Sequence, residues 1–534
     1  MNSTLERLAP FANEPIRTFA DANDAASMEA AISRLRAAGP RRFPVVIDGL
    51  PVETPGEIVS RNPYRPSEIV GRVGSASLAQ ANDAVEAAAG IFESWKRVPA
   101  TDRATFLFAA AQRVRERRDE FNALLVLEVG KSWVEAEADT SEAIDFLEFY
   151  GREALRYAEP PPLVPISGED NRLTYIPLGV GLVIPPWNFA FAIMAGMTAA
   201  ALVAGNTVVL KPSSDSPVIA AAFVELLADV GLPAGVVNFV PGSGRVIGDA
   251  LVAHPKTRFI AFTGSKEVGL RINELAAKTQ PGQKWIKRVI AEMGGKDSIV
   301  VAADADLDAA ADGIVASAFG FAGQKCSACS RAIVEEGVYD ALTAKILERV
   351  AKLATGDVSE RSVAFGPVIN EAALTSILAY VGKGVAEGGR LLAGGKRASG
   401  GDGYVIEPTV IGDVRPEATI SQEEIFGPVL ALIRARDYGD ALRIANDTEF
   451  GLTGAVYSGD DGKLERARDE FHVGNLYFNR KCTGAFVGAH PFGGFNMSGT
   501  DSKAGGYDYL LLFTQAKLVS KKLAGTGNGK AGGE

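Results

Sequence analysis

One cysteine, Cys326, stands in the run GFAGQKCSACS, just beyond an apolar helical stretch and a glycine-bearing turn. A thiol becomes a nucleophile where a helix terminus, a cation or backbone donors favour its thiolate. Thirty-four residues upstream, in AEMGGKD, Glu292 ends the strand-like run VIAEM and is a candidate general base. The run PWN, Pro186 to Asn188, closes another strand and offers an amide donor for a developing oxyanion. Each has a plain alternative when taken alone: a packing cysteine, a solvated charge, a loop amide. Cys326 and Cys329 also spell CxxC, but no second such pair exists, and His254, His472 and His490 show no ligand spacing. No metal site is therefore expected.

Two further features offer places for a phosphate-bearing ligand, each with a plain alternative: an ordinary glycine turn, and a surface lysine closing a strand. The strand-like RFIAFTG runs into GSKEVG, from Gly264 through Ser265 and Val268 to Gly269, and then into a helical segment. Such a turn leaves backbone N–H groups facing an anion, although its spacing is not GxGxxG. Lys211 closes NTVVLKPSS, where ligands of open α/β sheets bind, beyond the carboxyl ends of strands.

The elements that must position these groups alternate along the chain. Residues 1–160 carry helical periodicity, and Pro160 to Pro162 end it. Short apolar strands then alternate with helices: GVGLVI, NTVVLKP, GVVNFVPG and RFIAFTG first, then SIVVA, RAIVEEG, GPVLALIRA and TGAVYS. This predicts two parallel-sheet α/β domains, one over 178–300 and a second over 301–495 holding Cys326. Residues 161–177 and 496–522 fall outside both sets, and the small polar tail 523–534 is expected to be disordered.

Composition narrows the classes. The 534 residues carry a net charge of −10 with no Lys/Arg-rich run, which argues against nucleic acid. Hydrophobic residues at 47% and charged residues at 22% describe a globular chain acting on a small molecule. Three cysteines give no disulfide framework, and Glu6 and Arg7 interrupt any leader, so a cytoplasmic location is expected. Leu173 to Leu210 is uncharged, yet Pro185, Pro186 and Asn188 break it, leaving an apolar stretch too short to span a bilayer.

The runs PWNF, KPS, FTGSKEVG, EMGGKD, GQKCSA, EEIFGP and PFGGFNMSG occur in an order that resembles the aldehyde dehydrogenase superfamily over about residues 45 to 515. NEPIRTF and GNLYFNRKCTGAFVGAHPFGGF resemble the branch acting on L-glutamate γ-semialdehyde. The resemblance implies that Cys326 attacks the aldehyde, Asn188 holds the oxyanion and Glu292 activates water. It implies NAD as cofactor, held by Trp187, Lys211, the 264–269 turn, Gly294, Glu424 and Phe426. Ser214 stands where NAD-selective relatives carry Glu, so some tolerance of NADP is expected. The substrate would meet Lys325, Ser327, Thr483, Gly484, Ala485 and Phe492. Segments 161–177 and 496–522 would form a β-flap that pairs with another subunit, making a homo-oligomer. Rival readings are a dehydrogenase for another semialdehyde, a CoA-acylating relative, which Glu292 argues against, and a non-catalytic scaffold.

Overall fold

The computed structural model describes residues 8–399 and 401–523. Of the tail expected over 523–534, all but Leu523 lies outside the described residues.

Five helices open the chain: α1 (Ala22–Ala38), α2 (Leu78–Trp95), α3 (Ala100–Glu116), α4 (Arg118–Val129) and α5 (Trp133–Ala158). Sequence periodicity reads α3 and α4 as one helix. The break falls at Arg117, which leaves helical geometry with φ −109° and ψ 19° although no glycine or proline marks it. The helical reading of this region also passes over five short strands: β1 (Arg41–Phe43), β2 (Val45–Ile47), β3 (Leu50–Val52), β4 (Gly56–Arg61) and β5 (Ile69–Ser75). A three-stranded sheet of order β1-β5-β4 forms from them, while β2 and β3 join the first large sheet.

That sheet adds β7 (Val180–Ile184), β8 (Thr207–Leu210), β9 (Val237–Phe239), β10 (Thr257–Thr263) and β11 (Arg288–Glu292), in the order β11-β10-β7-β8-β9-β2-β3. The β7 to β11 set runs parallel. Its strands read as nearly unbroken apolar runs because both faces are covered. Val180 and Leu182 pack in the core on one face and Val183 in the core on the other, following the two-residue repeat of a pleated strand. Helices α6 (Ala192–Val203), α7 (Pro217–Asp229), α8 (Asp249–Ala253) and α9 (Lys266–Ala277) make the crossovers. The apolar stretch 190–204 is the buried helix α6, and among the described residues no helix is long and apolar enough to cross a membrane.

The second large sheet has the order β14-β15-β16-β13-β12-β18-β19. Its strands are β12 (Ser298–Val301), β13 (Arg331–Glu335), β14 (Arg390–Ala393), β15 (Thr409–Gly412), β16 (Val429–Ala435), β18 (Thr453–Tyr457) and β19 (Asn475–Phe478). Only the edge strand β14 pairs antiparallel. Helix α10 (Leu307–Phe319) leads from β12 towards Cys326 and is capped by Asp306, which accepts from the Asp308 and Ala309 N–H groups.

Two small pairings complete the fold: β17 (Phe450–Gly451) with β20 (Phe495–Asn496), and β6 (Glu169–Pro177) with β21 (Thr514–Lys522). The β6–β21 ribbon runs antiparallel from Glu169 opposite Lys522 to Pro177 opposite Thr514. Pairing therefore begins at Thr514. Residues 496–513 instead run back over the end of β11, where Gly499 bridges Glu292.

Candidate active site

Strands β11, β10, β7 and β8 are neighbours and parallel, so their carboxyl ends line one edge of the sheet. Glu292 ends β11, the Gly264 turn follows β10, Asn188 lies four residues past β7, and Lys211 follows β8. The second sheet faces this edge with Cys326, which lies between α10 and β13.

The segment delivering Cys326 is bent tightly. Phe321 and Ala322 have φ of 52° and 53°, and Gly323 follows at 69°. Two consecutive left-handed residues other than glycine persist only where their surroundings hold them. A Cβ on Gly323 would fall 2.3 Å from the Gly427 carbonyl oxygen, so only glycine fits there. Next in the chain, the buried Gln324 carboxamide accepts from the Ile369 N–H (2.8 Å) and donates to the Phe321 and Pro367 carbonyls (3.3 and 3.2 Å). Asn188 Nδ2 donates to the Gln324 carbonyl at 3.0 Å, tying the amide to the backbone two residues before Cys326. Burial first, and then the neighbouring Asp297, Glu424 and Glu292 carboxyl groups, hold the Cys326 thiol well above its ordinary range. Its proton must therefore pass to a base during reaction.

Glu292 is buried at 9% exposure. Ser502 Oγ donates to its Oε1, while Oε2 has no hydrogen-bond partner among the described residues. Burial pushes this carboxyl up to about 8, opposed by the Ser502 bond and the Lys503 charge. A carboxyl near neutrality with one free oxygen is suited to taking a proton.

On the side of the glycine turn, Ser265 caps α9 by accepting from the Val268 N–H at 3.4 Å. A Cβ on Gly269 would sit 2.4 Å from the Met293 sulfur, and one on Gly294 would strike the Glu424 carboxylate at 2.2 Å. Glu424 Oε1 accepts from the Gly295 N–H at 3.1 Å. Trp187 meets Phe426 edge to face at 5.5 Å. Lys211 is 6% exposed, its ammonium bonded to the Pro212 carbonyl at 3.0 Å, and desolvation lowers it to about 8. Among the described residues Lys211 is a buried cation with no carboxylate partner, and the Ser265-capped twelve-residue α9 follows a second strand of the same sheet; both suit the ribose and phosphate oxygens of a dinucleotide. Ser214 is exposed, and the neighbouring Asp215 accepts from Asn370 Nδ2 at 3.2 Å.

A cavity of about 110 Å³ is lined by Cys326 and Glu292. Of the residues expected to meet the substrate, Ser327, Gly484, Ala485 and Phe492 line it. Thr483 and Lys325 do not, since Lys325 Nζ is taken up by Glu135 Oε1 at 2.7 Å. Arg480 Nη2 braces the loop by donating to the Thr483 and Gly484 carbonyls (3.1 and 3.0 Å). Gly484 is left-handed at φ 78°, and neither its N–H nor that of Ala485 donates to a protein acceptor among the described residues. Sequence reading missed Glu142, a half-buried carboxyl on α5 that lines the same cavity. Burial and Asp139 push it up to about 8. It also missed Ser502, which bonds Glu292, and Gln324, whose carbonyl accepts from Asn188 two residues before Cys326.

The chain belongs to the aldehyde dehydrogenase family, whose sequence model matches residues 52–519. Among its relatives, 1-pyrroline-5-carboxylate dehydrogenase of Geobacillus thermodenitrificans is 56% identical over 513 residues, 96% of this chain and 99% of the relative. 1-Pyrroline-5-carboxylate dehydrogenase 2 of Bacillus subtilis is 54% identical, with the same coverage. The crystal structure of 1-pyrroline-5-carboxylate dehydrogenase from Thermus with bound NAD superposes with a TM-score of 0.95 at 50% identity, covering 97% of this chain and all of that one. Betaine aldehyde dehydrogenase from Staphylococcus aureus, solved with NAD+, reaches a TM-score of 0.86 at 30% identity over 94% of this chain and 99% of that one.

Proposed function

We propose that this enzyme oxidises L-glutamate γ-semialdehyde, the open form of 1-pyrroline-5-carboxylate, to L-glutamate with NAD, the second step of proline breakdown. The observation that carries the substrate is the cavity itself, which is lined by Cys326 and Glu292 together with Gly484, Ala485 and Glu142. The loop's free N–H groups suit an α-carboxylate, and the Glu142 carboxyl suits an α-ammonium. Both charges need such partners once they leave water. Phe492 covers the aliphatic chain.

In this reading the Cys326 thiol loses its proton to solvent water, and the thiolate forms the S–C bond to the aldehyde carbon. Asn188 Nδ2 spends one proton on Gln324 and offers the other, with the Cys326 N–H, to the resulting oxyanion. NAD, when bound, supplies the hydride acceptor that converts this adduct to a thioester. Lys211, Ser265, Val268 and Gly269 would hold its adenosine and pyrophosphate side, with Trp187, and Gly294, Glu424 and Phe426 its nicotinamide side. Glu292 then draws a proton from water, which attacks the thioester and breaks the S–C bond.

We also read the protein as a homo-oligomer. The β6–β21 ribbon carries Leu518 and Val519, 59% and 51% exposed, and among the described residues each strand pairs only with the other. A monomeric mass by light scattering at micromolar protein refutes this. Three unbridged cysteines accord with the reducing cytoplasm.

The substrate test compares NADH formation from glutamate semialdehyde, glutarate semialdehyde and hexanal, in the parent and in Glu142→Gln. The parent should prefer glutamate semialdehyde, and the variant should raise its KM without changing that for glutarate semialdehyde, which lacks the ammonium. Equal kcat/KM for hexanal and glutamate semialdehyde overturns the substrate assignment.

A further inference from the structure

Lys131 lies in the short link between α4 and α5, outside every role assigned above, and its side chain is completely buried. Its ammonium donates to Asp139 Oδ2 at 2.9 Å, and Asp139 is equally buried. The other carboxylate oxygen, Oδ1, accepts from the Ala192 N–H at 2.7 Å, at the first residue of α6. The ion pair thus fastens α5 to the start of the helix that follows Asn188.

The rest of the ammonium faces two aromatic rings. It lies 4.3 Å from the Phe189 ring centroid and 4.9 Å from that of Phe321. These rings belong to the two segments that must meet for chemistry. Phe189 directly follows Asn188, and Phe321 is the first left-handed residue of the turn leading to Gln324 and Cys326. A cation desolvated between two π faces attracts both, and one fixed to a carboxylate cannot follow either ring if it moves.

We propose that Lys131 is a positioning residue for the thiol addition step. Its ammonium, anchored by Asp139, draws the Phe189 and Phe321 rings together and so fixes the Asn188 amide against the Gln324–Cys326 backbone. A hydrocarbon of similar length would fill the space without this attraction. The buried charge costs desolvation that such a hydrocarbon would avoid, and holding the oxyanion donor in register is the return. The inference rests on the thiol and oxyanion roles proposed above.

The test pairs Lys131→Met with Asp139→Asn, which removes both charges while the introduced carboxamide keeps an oxygen for the Ala192 N–H. The readout is the single-turnover NADH burst, normalised to titrated Cys326 thiol, with glutarate semialdehyde and NAD. The burst rate should fall about 10- to 100-fold, the range of losing a misaligned donor in the transition state, while both KM values stay within about twofold. Phe321→Leu leaves the ion pair intact and tests the same contact in a second way. It should slow the burst in the parent and add little in the doubly substituted background. A parent-like burst in the folded double variant, a parent-like burst in Phe321→Leu, or fully additive losses would each overturn the proposal. Absence of any burst in the parent enzyme would instead overturn the catalytic reading on which it rests.

Discussion

Replacing Ser502 with alanine removes the one side-chain donor on the Glu292 carboxyl and leaves its burial unchanged. A hydrogen bond to a charged acceptor contributes about 1.5–3 kcal/mol. The protonated acid keeps part of that through its own O–H, so the lower end applies, roughly 1.4 kcal/mol or one pH unit. The parent carboxyl, held at about 8, should therefore titrate at about 9 in the variant. Water activation requires the ionised form, so the low-pH limb of thioester hydrolysis moves up. At pH 7 the ionised fraction drops from about one in ten to about one in a hundred, so hydrolysis slows about tenfold there and recovers towards pH 10. Stopped-flow measurement of thioester decay after a single acylation, from about pH 6 to 10, isolates this step from thiol addition. A limb that stays in place, or moves to lower pH, refutes Ser502 as the donor that favours the charged base.

Glu292→Gln should give one burst of NADH and then stall as the thioester, whereas Cys326→Ala should give no burst; sustained parental turnover by the first variant would mean that another base activates water. Cys329, 1% exposed with its Sγ bonded to the Arg331 carbonyl, packs rather than cycles. Cys329→Ala should keep most activity with and without reductant, and a large loss tied to reductant would restore a dithiol role. NADP should be turned over measurably, because Ser214 carries no charge and Asp215 is bonded to Asn370. Ser214→Glu should cut NADP use by at least about tenfold through repulsion worth about 1.4 kcal/mol or more, with NAD kinetics as the control. Glu128→Gln should destabilise the fold by about 1–3 kcal/mol in urea unfolding. Its two carboxylate oxygens accept from the Val218 and Ile219 N–H groups, both at 2.8 Å, and an amide nitrogen can accept from neither.

The groups legible in the sequence are those whose local setting occupies a short window. Glu292, Lys211 and the Gly264 turn each follow an apolar strand, and Cys326 follows a helix and a glycine turn, so strand, turn and chemistry are read together. Glu142 escapes notice because it sits inside the twenty-six-residue α5, where one more acid among many looks like a solvated face. Only the packing of α5 against α6 brings it to the cavity. Ser502 escapes for a different reason, since its partner lies 210 positions away and no periodicity records a pairing at that range. The same holds for β2 and β3, three residues each, whose place in the first sheet is set by the contact of Val46 with Phe239. Lys325 shows a converse effect. Its position beside the nucleophile suggests a role that its actual neighbour, Glu135, removes.

The return of residues 496–513 over β11 bears on how the enzyme is made. Ser502 reaches Glu292, Gly499 bridges it, and Arg288, at the other end of that strand, donates to the Leu511, Leu512 and Thr514 carbonyls. On a ribosome, Cys326 emerges long before Gly499, Ser502 and residues 511–514. A chain ending before Gly499 would carry Cys326 without these contacts to Glu292, and on the roles proposed above thioester hydrolysis would be the step it lacks. Turnover thus becomes a property of the finished polypeptide, and the latest part of translation is the part that lets the thiol be used again.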